Sequence, residues 1–158
     1  MDFSREIATI LISAVPVTEL RAAIPLALSK FHLSVFSALF FSVLGGILPI
    51  PIVYFCLQPI IDFVEKKIPW VHKHLVNFLE KKSTHFQSLY DKFGALALGL
   101  FVAITIPPTG VWSATALMIL LRIRPRFGVP AIIIGEVISG IIVVLIVKGS
   151  LGFLRWLL

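Results

Sequence analysis

Apolar residues fall along the chain in four long blocks, grouped two and two around a polar centre. Block one, residues 6–29, is interrupted by PVTELR, and block two, residues 33–61, contains LGGILPIP. The polar centre covers residues 62–94. Block three, residues 95–121, is interrupted by PPTG, and block four, residues 127–149, contains GEVISG. A helix of ~20 mostly apolar residues spans a bilayer, so blocks two and four are each long enough to cross. Pro16 divides block one, and Pro107 and Pro108 divide block three, into pieces of about a dozen residues. At 1.5 Å per residue each piece reaches only ~15–20 Å, roughly half of the ~30 Å hydrocarbon core. Two such pieces make either one kinked span or a re-entrant hairpin. A prolyl break leaves backbone groups that lipid cannot satisfy, so it persists only inside protein or along a wet cavity.

The grouping repeats a pattern: an interrupted block, a short basic turn (KFH, residues 30–32, then RIRPR, residues 122–126), and a long block with a small-residue patch. Interrupted hydrophobic segments at corresponding places in two halves point to an inverted-repeat transporter site. Short basic loops obey the positive-inside rule most strictly, and only hairpins put RIRPR on the same side as the basic centre. The expectation is therefore an all-α integral membrane protein, one membrane domain over residues 1–158. Repeat one covers 1–61, a polar interfacial helical connector 62–94, and repeat two 95–158. Each repeat is a re-entrant helical hairpin plus a transmembrane helix. Residues 62–94 and 122–126 are expected to be cytoplasmic, with both termini opposite.

Composition agrees. The chain is 58% hydrophobic and 14% charged, against ~25% charged in soluble domains, and its mean hydropathy is +1.02. The net charge of +6 does not imply nucleic acid, because six of the fourteen Lys/Arg lie in residues 66–92 and three in RIRPR. Those are loop positions beside spans. The single cysteine, Cys56, excludes an intramolecular disulfide framework and is expected to be a small buried apolar residue. The N-terminal sixteen residues lack the layout of a cleaved signal peptide.

Ionisable residues inside apolar blocks are candidates for function. Glu19 and Arg21, between Pro16 and Pro25, are two apart and do not face each other on a helix. Thr18 would cap the helix after Pro16 and put Glu19 in its first turn, where the dipole favours negative charge. Arg21 still needs a partner at depth. The second break offers the hydroxyls of Thr105, Thr109, Ser113 and Thr115, and a half-helix starting at Gly110 would present a free N-terminus to an anion. Glu136 lies beside Gly135, Ser139 and Gly140, and it could pair with Arg21, relay a proton or face a wet crevice. Gly45 and Gly46, like Gly135, Ser139 and Gly140, suit close helix packing. His72 and His74 splay apart on a helix, so no metal site is expected. No cofactor motif or catalytic triad is present, and an enzyme is not expected.

ELRAAIP, LGGILPIP and PPTGVW, in this order, resemble the family of putative small multidrug export proteins over nearly the whole chain. That family is in turn distantly similar to the DedA/VTT membrane proteins, which have paired re-entrant hairpins and move lipids between leaflets. The resemblance points to Glu19, Arg21 and Pro25, to Pro49 and Pro51, and to Thr109, Gly110 and Trp112. It departs from the family pattern at Thr105, Pro108, Gly46 and Glu136. Together these imply a transporter of an amphipathic anion, above all a lipid phosphate such as undecaprenyl phosphate. Arg21 and the Gly110 terminus would hold the head group, and Glu19 or Glu136 would couple protons. Export of small hydrophobic drugs is the first rival, and a non-transporting assembly or lipid-binding protein the second. The expected partners are membrane lipids and a second copy in a homo-oligomer, a dimer foremost, in a prokaryotic plasma membrane.

Overall fold

Proline placement decides where the helices stop. In the computed structural model, which describes residues 3–16, 18–67, 84–104 and 110–157, α1 (Phe3–Ala14) ends two residues before Pro16. A residue preceding proline is disfavoured in the α region. Helix α2 (Glu19–Ser29) carries Pro25 in its interior, and Pro25 has no N–H to offer the Arg21 carbonyl. Helix α3 (Val35–Ile47) starts from Ser34, whose side chain accepts from the Ser37 N–H at 3.1 Å. Then α4 (Pro49–Lys67) begins on a proline, a residue suited to a first helical turn. Helices α5 (Thr84–Ala103), α6 (Val111–Leu120) and α7 (Pro125–Leu157) complete the described chain.

All described secondary structure is helical. Two stretches are long and apolar enough to cross a membrane: Val35–Leu57, with mean hydropathy 2.1, and Pro125–Gly149, with 2.6. Block two was expected to be one transmembrane helix, and that helix resets at Leu48, because neither Pro49 nor Pro51 can donate to the preceding turn. The polar centre is helical at both described ends, since α4 runs to Lys67 and α5 starts at Thr84. The expectation for residues 68–83 lies outside the described residues, as do those for Thr105, Pro107, Pro108 and Thr109.

Packing runs in parallel through the two halves. Helix α1 packs on α2 and α3, and α2 on α3; likewise α5 packs on α6 and α7, and α6 on α7. Between halves, α2 and α3 lie against α7, and α6 lies against α4. One step of 90 residues relates several landmarks: positive-φ turn residues His32 and Arg122, helix starts Val35 and Pro125, and glycines Gly45 and Gly135. A Cβ at Gly45 would fall on the Ile10 carbonyl oxygen and near Ser13, and one at Gly135 would fall on the Gly99 carbonyl oxygen and near Val102.

Burial is distributed as hydrocarbon demands. On α1 the exposed residues include Phe3, Ile7 and Leu11, while the buried ones are Glu6, Thr9 and Ser13. Phe36, Phe40, Leu44, Leu48, Ile52 and Phe55 continue an outward apolar stripe along α3 and α4. Soluble proteins rarely expose apolar patches beyond a few hundred Å². Lipid is the solvent for these faces, and the chain is a membrane protein. Cys56 is exposed on this stretch rather than buried, because its helix face turns outward with Phe55 and Ile52.

Candidate functional site

The helix ends beside the two breaks meet. The Trp112 indole N–H, in the first turn of α6, donates to the Ala14 carbonyl at the end of α1, at 3.2 Å. That carbonyl is one of the end-of-helix acceptors with no partner inside α1. Thr18 does not cap α2 as expected; its backbone is helical, and its hydroxyl turns back to donate to the Ile12 carbonyl at 2.5 Å. It thereby closes α1 instead of opening α2.

Glu19 is the first residue of α2 and has φ of 44°. A left-handed conformation costs a non-glycine residue roughly 1–2 kcal/mol, and such outliers gather at functional sites. Here it delivers a carboxylate to the second break. A Cβ at Gly110 would fall on the Glu19 carboxylate, so the carboxylate lies directly against this glycine. Gly110 caps α6 in an extended conformation, with its N–H donating to Ser113 Oγ at 3.2 Å. Glu19 therefore occupies the N-terminus of α6, the place where a helix dipole favours an anion.

Glu136, 3% exposed, lies in the same region on α7. A Cβ at Gly46 would fall on its Oε1, and that oxygen has no hydrogen-bond partner in the protein. The charges of Glu19 and Arg21 both act on it, and Arg21 also acts on Glu19. The structure thus gathers two carboxylates and one half-buried guanidinium from α2 and α7. The two acids are also related: each rests against a glycine of the other half, Glu19 on Gly110 and Glu136 on Gly46.

The remaining predicted residues are placed as follows. Ser113 serves the Gly110 turn, and Thr115 bonds back to the Val111 carbonyl at 2.7 Å. Gly45 and Gly135 admit the α1 and α5 backbones, while Gly140 faces Leu39 of α3 and Ser139 is buried. Beyond Gly46, residues Ile47, Ile50, Pro51, Tyr54, Phe55, Pro125 and Val129 line an apolar groove of about 310 Å³. Sequence reasoning passed over Glu6, Thr9 and Ser13. Their spacings of three and four, inside an apolar helix, are the signal of a shared face. Ser42 was missed as well, and its buried hydroxyl also has no protein partner.

A protein family described as "Putative small multi-drug export protein" matches residues 19–142. The chain belongs to this family. The matched span starts at Glu19 and contains Arg21, Gly46, Gly110 and Glu136, so the whole charged cluster falls within it. The family description is one of export, a transporter-like role. Neither the curated proteins nor the solved structures gave a match.

Proposed function

We propose that the protein is a proton-coupled exporter of small hydrophobic cations, with Glu136 as the group that holds cation and proton in turn. The observation that carries this reading is the unpartnered Oε1 of a buried Glu136, in a cluster of two carboxylates and one arginine. A buried charge is costly unless paired. One guanidinium neutralises one carboxylate, so the second needs a proton or a cation. The two cannot bind at once, and that exclusion couples their movements. The groove with Tyr54 and Phe55 in its wall suits the apolar part of such a cargo.

The anionic lipid-phosphate cargo expected from the sequence draws on Arg21 and on the Gly110 helix terminus. Glu19 already rests at that terminus, and an incoming phosphate would have to displace it. The parallel packing and the 90-residue step support two inverted repeats, with α1–α2 and α5–α6 as re-entrant hairpins and RIRPR on the cytoplasmic side. Two crossings enclose too little space for a path, so we take a homo-oligomer, at least a dimer, as the working unit.

Purified protein in liposomes should accumulate a lipophilic phosphonium cation against an imposed proton gradient, and Glu136→Gln should abolish it. An undecaprenyl-phosphate arm runs beside it. Movement of the lipid phosphate, without movement of the cation, would overturn the proposal in favour of the anionic cargo.

A further inference from the structure

The helices that open the two halves differ in one respect. Position for position, α1 and α5 make the same contacts: Ile10 and Ser13 meet Gly45, and Gly99 and Val102 meet Gly135. With that alignment Glu6, Thr9 and Ser13 correspond to Ala95, Leu98 and Val102. The buried face of α5 at these positions is apolar. The buried face of α1 is polar at every one of them. Burying hydroxyls and a carboxylate where the other half buries alkyl groups costs free energy unless the polar groups have partners. Carbonyls meet part of that cost, Thr9 donating to that of Arg5 at 2.8 Å, and the hydroxyl oxygens still have lone pairs for water.

The polar face has two ends. Its beginning lies beside the basic turn: Arg5 donates to the Phe31 carbonyl at 3.3 Å, and Lys30 and His32 in that turn are exposed. From Glu6 to Ser13 the face climbs ~10 Å along the helix axis. Ser13 then donates to the Ser42 carbonyl at 2.5 Å. Ser42 stands one turn before Gly46 on α3, so the two share a face, and Gly46 is where the Glu136 carboxyl rests. The Ser42 hydroxyl and Glu136 Oε1 are the buried side-chain polar atoms, among the described residues, that lack a protein partner. Buried groups of that kind are usually bridged by water with two to four polar contacts.

We infer that Glu6, Thr9, Ser13 and Ser42 form a hydrated proton path from the Lys30–His32 end of the molecule to Glu136, with no counterpart in the second half. This rests on the proton-coupled reading above and adds to it the route and its sidedness. A proton from water is taken up by the Glu6 carboxylate. It then passes along waters held by the Thr9, Ser13 and Ser42 oxygens, each hop breaking one O–H bond as the next forms, and ends on the Glu136 carboxylate. The charged groups that bear on the route are Arg5 beside Glu6, and Glu19 and Arg21 of α2 acting on Glu136. The face of α3 along it carries Ser42, Gly45 and Gly46. Protons from the Lys30–His32 side therefore reach Glu136 along α1, so that side loads it.

The test follows the exchange of the Glu136 carboxyl proton for deuterium by infrared spectroscopy, at acidic pH, using the whole protein in lipid. Its carboxyl band is identified by its loss in Glu136→Gln. Ser42→Val, which fills the space of a water, and Glu6→Gln should each slow exchange at least tenfold. Ser42→Ala, a smaller change that keeps the fold, should slow it severalfold. Thr115→Ala, off the route, should leave it within twofold. Unchanged exchange in folded Ser42→Ala and Glu6→Gln, or no Glu136 carboxyl band at any pH, would overturn the path. Transport is scored separately with the phosphonium cation. If the wild type moves none while exchange slows as expected, the exporter reading fails and the path stands.

Discussion

Adjacent glycines allow packing to be separated from chemistry. A Cβ at Gly45 would fall on the Ile10 carbonyl oxygen and lie 2.9 Å from both Ile10 Cα and Ser13 Cβ. Those are backbone and near-backbone atoms, so α1 itself must retreat. Overpacking costs ~1–3 kcal/mol, and a backbone clash belongs at or above the top of that range. Alanine returns ~1 kcal/mol through its better helix propensity. The net loss for Gly45→Ala is ~2 kcal/mol, which lowers Tm by roughly 4–8 °C for a chain of this size. At Gly46 the added Cβ would meet only the end of the Glu136 side chain. That carboxyl can swing away at ~1 kcal/mol, a cost that the propensity gain of ~1 kcal/mol offsets. Gly46→Ala should therefore melt within ~2 °C of wild type yet lose proton-driven cation uptake, because Glu136 has been displaced. Thermal unfolding in detergent and uptake into proteoliposomes, normalised to folded protein, measure the two effects. Equal destabilisation of both variants, with normal uptake in Gly46→Ala, would refute the placement of Glu136.

Trp112→Phe removes the indole donor to the Ala14 carbonyl and should cost ~1 kcal/mol, seen as a lower Tm with unchanged oligomer size. Arg21→Ala should abolish transport, whereas Arg21→Lys, which keeps the charge but loses the planar fork, should retain part of it. Arg21→Gln and Glu19→Gln should each lower Tm, and the double variant should lose less than the two single losses added together, since each single change strands a charge; additive losses would tell against the pairing that leaves Glu136 for a proton or a cation. In a Cys56→Ser background, Lys30→Cys and Arg124→Cys should label from opposite sides of the membrane. Labelling from one common side would favour four full crossings over the proposed hairpins.

The order of the helices was legible because prolines and apolar runs are local signals. Pro16 ends α1, the basic turns separate α2 from α3 and α6 from α7, and Gly110 caps α6, all within a few residues of the signal. The break at Leu48 was less visible, since LGGILPIP is apolar throughout and only Pro49 and Pro51 betray it. Glu19, Arg21 and Glu136 stood out because charge is rare in such blocks. Where Glu19 goes was not legible. Its carboxylate rests on a glycine from the other half, and nothing near residue 19 encodes that. The polar face of α1 was present as a spacing but was masked by Ile7, Ala8, Ile10 and Leu11 between its members. Thr18 misled for a similar reason: a threonine after a proline suits a cap, yet the open carbonyls of α1 won its hydroxyl.

The bond from Trp112 to Ala14 joins residues 98 apart in the chain. During synthesis at ~5–20 residues per second, the first half must wait ~5–20 s before that partner exists. Throughout the wait it holds Glu19 and Arg21 in the bilayer without Gly110, Trp112 or Glu136. The α1–α2 segment is then a poor membrane segment, with two charges in a short apolar piece. The cost of those charges is offset only once α5 and α6 arrive. Biogenesis, not only transport, accordingly depends on the breaks finding each other, and variants that weaken their junction should be depleted from cells more than their melting temperatures in detergent suggest.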